Sequence, residues 1–341
     1  MATLPDWTNY ISALAAIDLS TRLNHCLIRI GRRPLKSVYV IPSDITGNVG
    51  WGIGEDRGQD QLNLNRKLGE FGMMFIARDL AAELAVRGFI GASDRESTRK
   101  RGPFRIGLGT GSTMFHLVNS FAANGLRSST CVVPLVVGPS PETMHSAGFI
   151  AMLLQERLNS AHTDGFNVDH GIERISVVEP VSSVCQTGCL NLRLKDNYAR
   201  FCKSSDGRDF ADYFDWVITG VGGRGHGQNE EHEKLYKIND NHFVGDICSR
   251  FFDRMGNESA IAKASSDSIA IAAFAGLEAM CSTDGRGKRV ILIGGGKKKY
   301  EAIRALMTRR QQLFNVLVTD ELTVRRLLAE LQDYVAKKGK A

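Results

Sequence analysis

The chain has 341 residues, which is enough for one large α/β domain or two smaller ones. Hydrophobic residues make up 43% and charged residues 23%, and no run approaches the roughly 20 apolar residues of a membrane helix. The first ten residues lack the basic and apolar regions of a secretion signal, so we expect a cytoplasmic, globular protein that contacts no membrane. The net charge of +6 fits a small anionic ligand or weak contact with nucleic acid, although solvated surface charge is the simpler interpretation.

Seven apolar runs in chain order predict β-strands, at residues 37–42, 105–109, 130–138, 174–180, 215–222, 289–296 and 314–321. The runs are continuous rather than alternating, as in parallel strands that are buried on both faces. Helical patterns lie between them, at residues 71–88, 114–125 and 323–338. The sequence therefore predicts an α/β fold with a doubly wound, mostly parallel sheet. We expect surface loops or insertions at the polar stretches 90–103, 159–171 and 182–212.

The seven cysteines are scattered along the chain. An odd number in a long chain without a secretion signal argues against a disulfide framework. Cys185 and Cys189 form the closest pair, and no second pair or histidine motif follows to complete a zinc site. We therefore expect free, mostly buried thiols, no metal site and no cofactor.

The segment 104–121, FRIGLGTGSTMFHLVNSF, runs from an apolar strand through a glycine-rich loop into an amphipathic helix. Its glycines allow a tight turn with exposed amides, Thr110 adds a hydroxyl, and Ser112 or Thr113 can cap the helix. Together with the positive end of the helix, these groups predict an anion site. A dinucleotide site is less suitable, because the spacing is not G-x-G-x-x-G and no acidic residue ends the next strand. The alternative is a capped turn without a ligand.

A second glycine-rich loop, GVGGRGHGQNEE, follows the strand at 215–222 and opens at the same carboxyl edge of a parallel sheet. His226 lies among its glycines, where it could contact a ligand or simply be a surface residue. In the next segment, HFVGDICSRFFDRMGNE, Asp246 lies among apolar residues and needs a partner, either Arg250 or a ligand hydroxyl.

The strand at 289–296 ends in three glycines and the three lysines Lys297, Lys298 and Lys299 before another helix begins. One of these lysines could reach a phosphate or sugar oxygen, while the others would be solvated. The alternative is that all three are solvated surface charges.

The segments IGLGTGSTM, FDWVITGVG, VGDICSRFFDRMGN and ILIGGGKKKYEAIRALM…FNVLVTDELTVRRLL occur in this order. In them the chain resembles the sugar-binding effector domain of SorC/DeoR-type bacterial transcriptional regulators. That domain belongs to the superfamily of glucosamine-6-phosphate deaminase, ribose-5-phosphate isomerase and the CoA transferases. The resemblance implies binding of a phosphorylated sugar or similar small anion, and a homo-oligomer (dimer or tetramer) whose contacts respond to the ligand. It places the ligand-binding residues at Gly109, Thr110, Gly111, Ser112, Thr113, Gly222, His226, Asp246 and Lys297.

By this resemblance, residues 36–333 form the sugar-phosphate-binding, effector-like domain, and residues 334–341 form a basic tail. Residues 1–35 form a helical segment of up to two helices without a clear helix-turn-helix, a unit that needs about three helices. Arg29, Arg32, Arg33 and Lys36 could contact phosphates, so DNA or a DNA-binding partner protein is a candidate partner.

The deaminase and lactonase members of the superfamily carry an acidic residue before the Gly-His pair, where this chain has Arg224. Arginine cannot act as a general base, so we predict no catalytic residue and no enzyme activity. The leading hypothesis is a ligand sensor in transcriptional regulation. The alternatives are an isomerase- or deaminase-like enzyme that uses His226, Glu230 or Glu231, and a non-catalytic scaffold with a vestigial pocket that contacts nucleic acid or a protein.

Overall fold

The computed structural model describes residues 10–46, 57–87, 104–121, 130–136, 143–160, 207–224, 243–260, 270–282 and 287–338. Their strands are β1 (Ser37–Ile41), β2 (Phe104–Leu108), β3 (Thr130–Pro134), β4 (Trp216–Gly223), β5 (Phe243–Ile247), β6 (Arg250–Asp253), β7 (Arg289–Ile293) and β8 (Val316–Asp320). Six of these strands form a parallel sheet in the order β1-β8-β7-β4-β2-β3. The mostly parallel sheet predicted from the apolar runs is confirmed, and the predicted strand at 174–180 lies outside the described residues.

The helices of the described residues are α1 (Tyr10–Arg29), α2 (Ser43–Thr46), α3 (Arg57–Val86), α4 (Ser112–Asn119), α5 (Ala147–Ser160), α6 (Arg208–Tyr213), α7 (Phe274–Ser282), α8 (Lys297–Thr308) and α9 (Glu321–Lys338). The buried side chains form two clusters. One contains Ile218 of β4 and residues of α3, α4 and α5, and the other contains Val217 of β4 and residues of α1, α6, α7, α8 and α9. Consecutive residues of a strand point to opposite faces, so the helices cover both faces of the sheet. The doubly wound fold is therefore confirmed.

A β-hairpin extends the sheet where the sequence indicated only core material. Strand β5 pairs antiparallel with the end of β4, and β6 pairs antiparallel with β5. The hairpin turn is Cys248-Ser249, and both residues have positive φ, at 51° and 59°. Two-residue hairpin turns of this kind usually contain Asn or Gly. The sequence therefore lacks the usual turn signal, and the carboxylate of Asp246 stabilises the turn by accepting a hydrogen bond from the Ser249 N–H at 3.0 Å.

The described part of the N-terminal segment contains one helix, α1. It packs against α9, and its Leu23 and Leu27 belong to the same buried cluster as the helices on that face of the sheet. After the helix, Arg32 Nε donates to the carbonyl of Thr308 at 2.8 Å and Lys36 Nζ donates to the carbonyl of Lys288 at 3.1 Å. Two of the four basic residues considered for phosphate contact therefore anchor this segment to the domain.

One of the predicted surface loops is partly helical, whereas the C-terminal helix ends at the predicted residue. Residues 208–212, within a stretch predicted to be a surface loop, form most of α6, and its Phe210 is fully buried. Helix α9 runs to Lys338, which confirms the helix predicted at 323–338, and the basic tail predicted at 334–341 overlaps the end of that helix. The loop predicted at 90–103 lies outside the described residues. Of the loop predicted at 159–171, the first two residues end α5, and the rest lies outside the described residues.

The described cysteines Cys26, Cys131, Cys248 and Cys281 are all free thiols, and three of them are buried, as predicted. Within the described ranges, no cluster of three histidine, cysteine or carboxylate side chains could hold a metal ion. Of the helices in those ranges, none is both long and apolar enough to span a bilayer.

Candidate anion and sugar site

The candidate site lies at the carboxyl edge of the parallel sheet, between β2 and β4. From β2 the chain continues to β3 on one side, whereas β4 is followed by β7 and β8 on the other side. Ligands of doubly wound folds bind at such a reversal of strand order. Gly109 begins the loop after β2, and a Cβ atom there would lie 2.9 Å from Cβ of Thr219 in β4. Glycine is required because the two strands approach so closely at this point.

The loop after β2 has fewer exposed amides than the sequence indicated. The Gly109 N–H donates to the carbonyl of Ile218 at 2.9 Å, and the Gly111 N–H donates to the carbonyl of His145 at 3.0 Å. The hydroxyl of Thr110 also donates to the His145 carbonyl, at 2.5 Å. These bonds hold the shape of the loop and leave the N–H groups of Gly109 and Gly111 unavailable to a ligand.

Helix α4 begins differently from the prediction that Ser112 or Thr113 caps it. Its N-cap is Gly111, which has φ 111° and makes no side-chain capping bond. The first bond of the helix runs from the Phe115 N–H to the Gly111 carbonyl. The N–H groups of Ser112, Thr113 and Met114 therefore have no acceptor within the helix, as at any helix N-terminus. They remain suitable for an anion, which the helix dipole also favours.

Lysine Lys299 of α8 brings a positive charge to this helix end. Its Nζ donates a hydrogen bond to Thr113 Oγ1 at 3.1 Å. Burial of the ammonium group lowers the pKa of Lys299 to about 8, although the carboxylate of Asp246 acts in the opposite direction. The side chain is therefore a cation whose charge is poorly solvated, and a bound anion would stabilise that charge.

Asp246 and Gly222 are neighbours across the antiparallel pair of β4 and β5. Asp246 is 7% exposed, and its electrostatic influence reaches Lys299. The end of β4 also lies against the start of α8, because a Cβ atom on Gly223 would collide with the carbonyl oxygen of Lys298. The hairpin and the lysine helix therefore meet next to the α4 N-terminus. The guanidinium of the fully buried Arg250 bonds to the Glu258 carboxylate at 2.7 Å and to the Ala272 carbonyl at 2.8 Å.

Of the predicted ligand residues, the structure brings together Gly109–Thr113, Gly222 and Asp246. Lys297 is exposed at the first position of α8, and the lysine that reaches the loop is Lys299. A role for Lys297 stays a prediction. His226, Glu230 and Glu231 lie outside the described residues. Arg224, which by the resemblance replaces the acidic residue of the superfamily, is exposed, with its guanidinium 5.5 Å from the ring centroid of Phe243.

The sequence analysis did not single out two polar residues of α3 that also contact the site, Gln61 and Asn65. Asn65 Nδ2 donates to Ser112 Oγ at 3.0 Å, and Gln61 Nε2 donates to the carbonyl of Gly295 at 3.1 Å. Both residues are buried, with 7% and 6% exposure. The sequence contains a signal for these two residues. They are four positions apart and next to Leu64 and Leu68, which places their amides on the apolar face of the helix.

Residues 209–329 match the sequence model of a family described as "Putative sugar-binding domain". The match contains Gly222, Asp246 and Lys299 and leaves out the loop at 109–113. No curated protein matches the sequence closely enough to count as a relative.

Solved structures with a similar fold are transcriptional regulators. Full-length sorbitol operon regulator SorC from Klebsiella pneumoniae is 18% identical with a TM-score of 0.54, and the alignment covers 96% of this chain and 84% of that chain. A probable sor operon regulator from Shigella flexneri is 18% identical (TM-score 0.53), and a DeoR family regulator from Listeria monocytogenes is 15% identical (TM-score 0.52). Each of these two alignments covers 92% of this chain and 99% of the other. The chain has the SorC/DeoR-type sugar-binding fold. The resemblance predicted from the four sequence segments is therefore confirmed.

Proposed function

We propose that the chain is a ligand-sensing domain that binds a phosphorylated sugar or a similar small anion. The observation that carries this proposal is the meeting of three elements at one sheet edge. The α4 N-terminus supplies amides, Lys299 supplies a poorly solvated positive charge, and Asp246 supplies a carboxylate. Phosphate suits the first two elements, and a sugar hydroxyl suits the third.

Binding without turnover is the form of this proposal that the described residues support. Arg224 stands where the superfamily's catalytic acid is expected, and a guanidinium cannot remove a proton. The likeness of the fold to transcriptional regulators supports a role in transcriptional regulation. Under this proposal the protein is cytoplasmic and acts as a dimer or tetramer. Ligand binding changes the contacts between protomers, and DNA is bound directly or through a partner protein.

The test is a thermal-shift screen against phosphorylated sugars and polyols, each paired with its unphosphorylated form. A ligand at 100 times its Kd stabilises the native state by about 2.7 kcal/mol, so a specific ligand gives a clear rise in Tm. Thr113→Val removes the hydroxyl that contacts Lys299 and should reduce this rise. Thr308→Val is the matched control, because the Thr308 hydroxyl bonds to a carbonyl of its own helix, remote from the site.

Equal shifts in Thr113→Val and the parent protein, or equal shifts with phosphorylated and unphosphorylated sugars, would contradict the proposal. Each compound that binds is then incubated with the protein and examined for conversion by NMR. Turnover that is lost on changing His226 or Glu230 would favour the isomerase or deaminase alternative.

A further inference from the structure

The buried amides of Gln61 and Asn65 connect two loops of the site through helix α3. Gln61 Nε2 donates to Asn65 Oδ1 at 3.0 Å as well as to the Gly295 carbonyl at 3.1 Å. Asn65 Nδ2 in turn donates to Ser112 Oγ at 3.0 Å. The chain of bonds therefore runs from the loop before α8 to the first turn of α4, with little access for water because both amides are buried.

The hydrogen bond between Gln61 and the Gly295 carbonyl determines which group donates in each of the other bonds. A backbone carbonyl can only accept, so the Gln61 atom next to the Gly295 oxygen must be the NH₂ group. The same NH₂ group faces Asn65, which must present its carbonyl oxygen there. Asn65 then has only its NH₂ group to offer to Ser112. Rotating either side-chain amide by 180° would place two hydrogen-bond donors or two acceptors against each other.

The hydroxyl of Ser112 is therefore an acceptor towards Asn65. A serine hydroxyl has a single hydrogen, and here it points away from α3. The neighbouring hydroxyl is constrained in the same way, because the Lys299 ammonium can only donate to Thr113 Oγ1. Both hydroxyls can thus donate alongside the free N–H groups of the first turn of α4. This end of the site is an array of donors.

We propose that Gln61 and Asn65 are positioning residues that hold the Ser112 hydroxyl as a donor to the ligand. They thereby make the site selective for a group that only accepts hydrogen bonds, such as a fully deprotonated phosphate. This inference rests on the proposed anion-binding function and deepens it. The same two amides also connect Gly295, in the loop before α8, with Ser112 in the first turn of α4.

The test is a double-mutant cycle on Asn65 and Ser112, with the Kd for inorganic phosphate measured by calorimetry. A charge-assisted hydrogen bond contributes enough that Asn65→Ala and Ser112→Ala should each weaken binding about tenfold. If Asn65 acts through Ser112, the double variant binds no more weakly than Ser112→Ala alone. Asn63→Ala is the matched control, since Asn63 lies on α3 outside the hydrogen-bonded chain, and it should bind like the parent.

The proposal is wrong if the two substitutions weaken binding independently, about a hundredfold together. It is also wrong if Asn65→Ala binds phosphate as well as the parent. Should Asn65→Ala fail to fold, Asn65→Asp keeps the bond from Gln61 and takes the Ser112 hydrogen for itself. It should weaken phosphate binding at least tenfold, relative to an Asn63→Asp control that carries the same added charge.

Binding of inorganic phosphate and of phosphorylated sugars to the wild-type protein distinguishes failure of this proposal from failure of the proposed function. Failure to bind inorganic phosphate at all would overturn the donor array and its positioning residues. Binding of phosphate with the expected coupling, but of no phosphorylated sugar in preference to it, would overturn only the sugar-sensing function.

Discussion

Replacing Lys299 with methionine should make the ligand-free protein more stable and abolish its response to ligand. Burial lowers the pKa of Lys299 from 10.5 to about 8, which corresponds to a cost of roughly 3 kcal/mol for keeping the ammonium charged at neutral pH. Methionine keeps the apolar stem and removes the charge. The lost hydrogen bond to Thr113 offsets about 1 kcal/mol of the gain. We therefore expect the free energy of unfolding to increase by about 1–3 kcal/mol.

The assay is urea unfolding at pH 7 for the parent, Lys299→Met and the control Lys297→Met. Lys297 is exposed at the start of the same helix, so its substitution should change stability by less than about 0.5 kcal/mol. A thermal-shift titration with the ligand from the screen completes the experiment, and Lys299→Met should show no ligand-dependent rise in Tm. A variant less stable than the parent, or one that keeps the full rise in Tm, would contradict this prediction.

Three further predictions concern the loop, the hairpin and the buried arginine. Gly111→Ala should cost about 1–3 kcal/mol in urea unfolding because of its φ of 111°, whereas Gly148→Ala, equally free of neighbours but helical, should be neutral or stabilising; equal effects would contradict this. Asp246→Ala should weaken sugar-phosphate binding about tenfold in calorimetry, and a large loss of stability without loss of affinity would instead favour a structural role. Arg250→Met should lower the free energy of unfolding by about 3–5 kcal/mol, because the Glu258 carboxylate loses its buried partner, and a loss below 1 kcal/mol would contradict that.

The strands of the sheet could be predicted because their sequence pattern depends on burial alone. The run at β7, for example, is apolar at each position that the sheet and both helical layers cover. The hairpin of β5 and β6 could not be predicted in the same way. Its turn consists of Cys248 and Ser249, and their positive φ values are imposed by the surrounding contacts rather than by residue type.

The candidate site also has parts that local sequence predicts and parts that depend on tertiary packing. The loop at 109–113 is local, since strand, glycines and helix follow one another, and the sequence therefore located it. The choice among the three lysines depends on the phase of α8. Lys299 precedes two buried residues, Ala302 and Ile303, by three and four positions. Lys297 precedes the buried Tyr300 by three positions but the exposed Glu301 by four. The helical phase thus favoured Lys299. For α3, the local pattern places the amides of Gln61 and Asn65 on the apolar face of the helix, but their partners Gly295 and Ser112 depend on tertiary packing.

The lowered pKa of Lys299 also determines how the stability of the ligand-free protein should vary with pH. The folded-state pKa of about 8 lies below the unfolded value of 10.5, so between these values the unfolded chain binds more protons. Stability contributed by this group therefore rises as pH increases from about 8 to 10.5. The slope should be smaller in Lys299→Met than in the parent, and urea midpoints measured across this range test the difference.

Under the proposed function, ligand affinity should show the opposite dependence above pH 8, because a phosphate ligand would be held by the charged form of Lys299. A phosphomonoester gains its second charge near pH 6, and Lys299 loses its charge above about 8, so affinity should be greatest between these values. Binding above pH 8 should take up a proton, since the phosphate raises the pKa of the ammonium it contacts. Calorimetry in buffers of different ionisation enthalpy measures this uptake. A parent affinity that stays constant from pH 7 to about 9.5 would show that Lys299 does not contact the ligand.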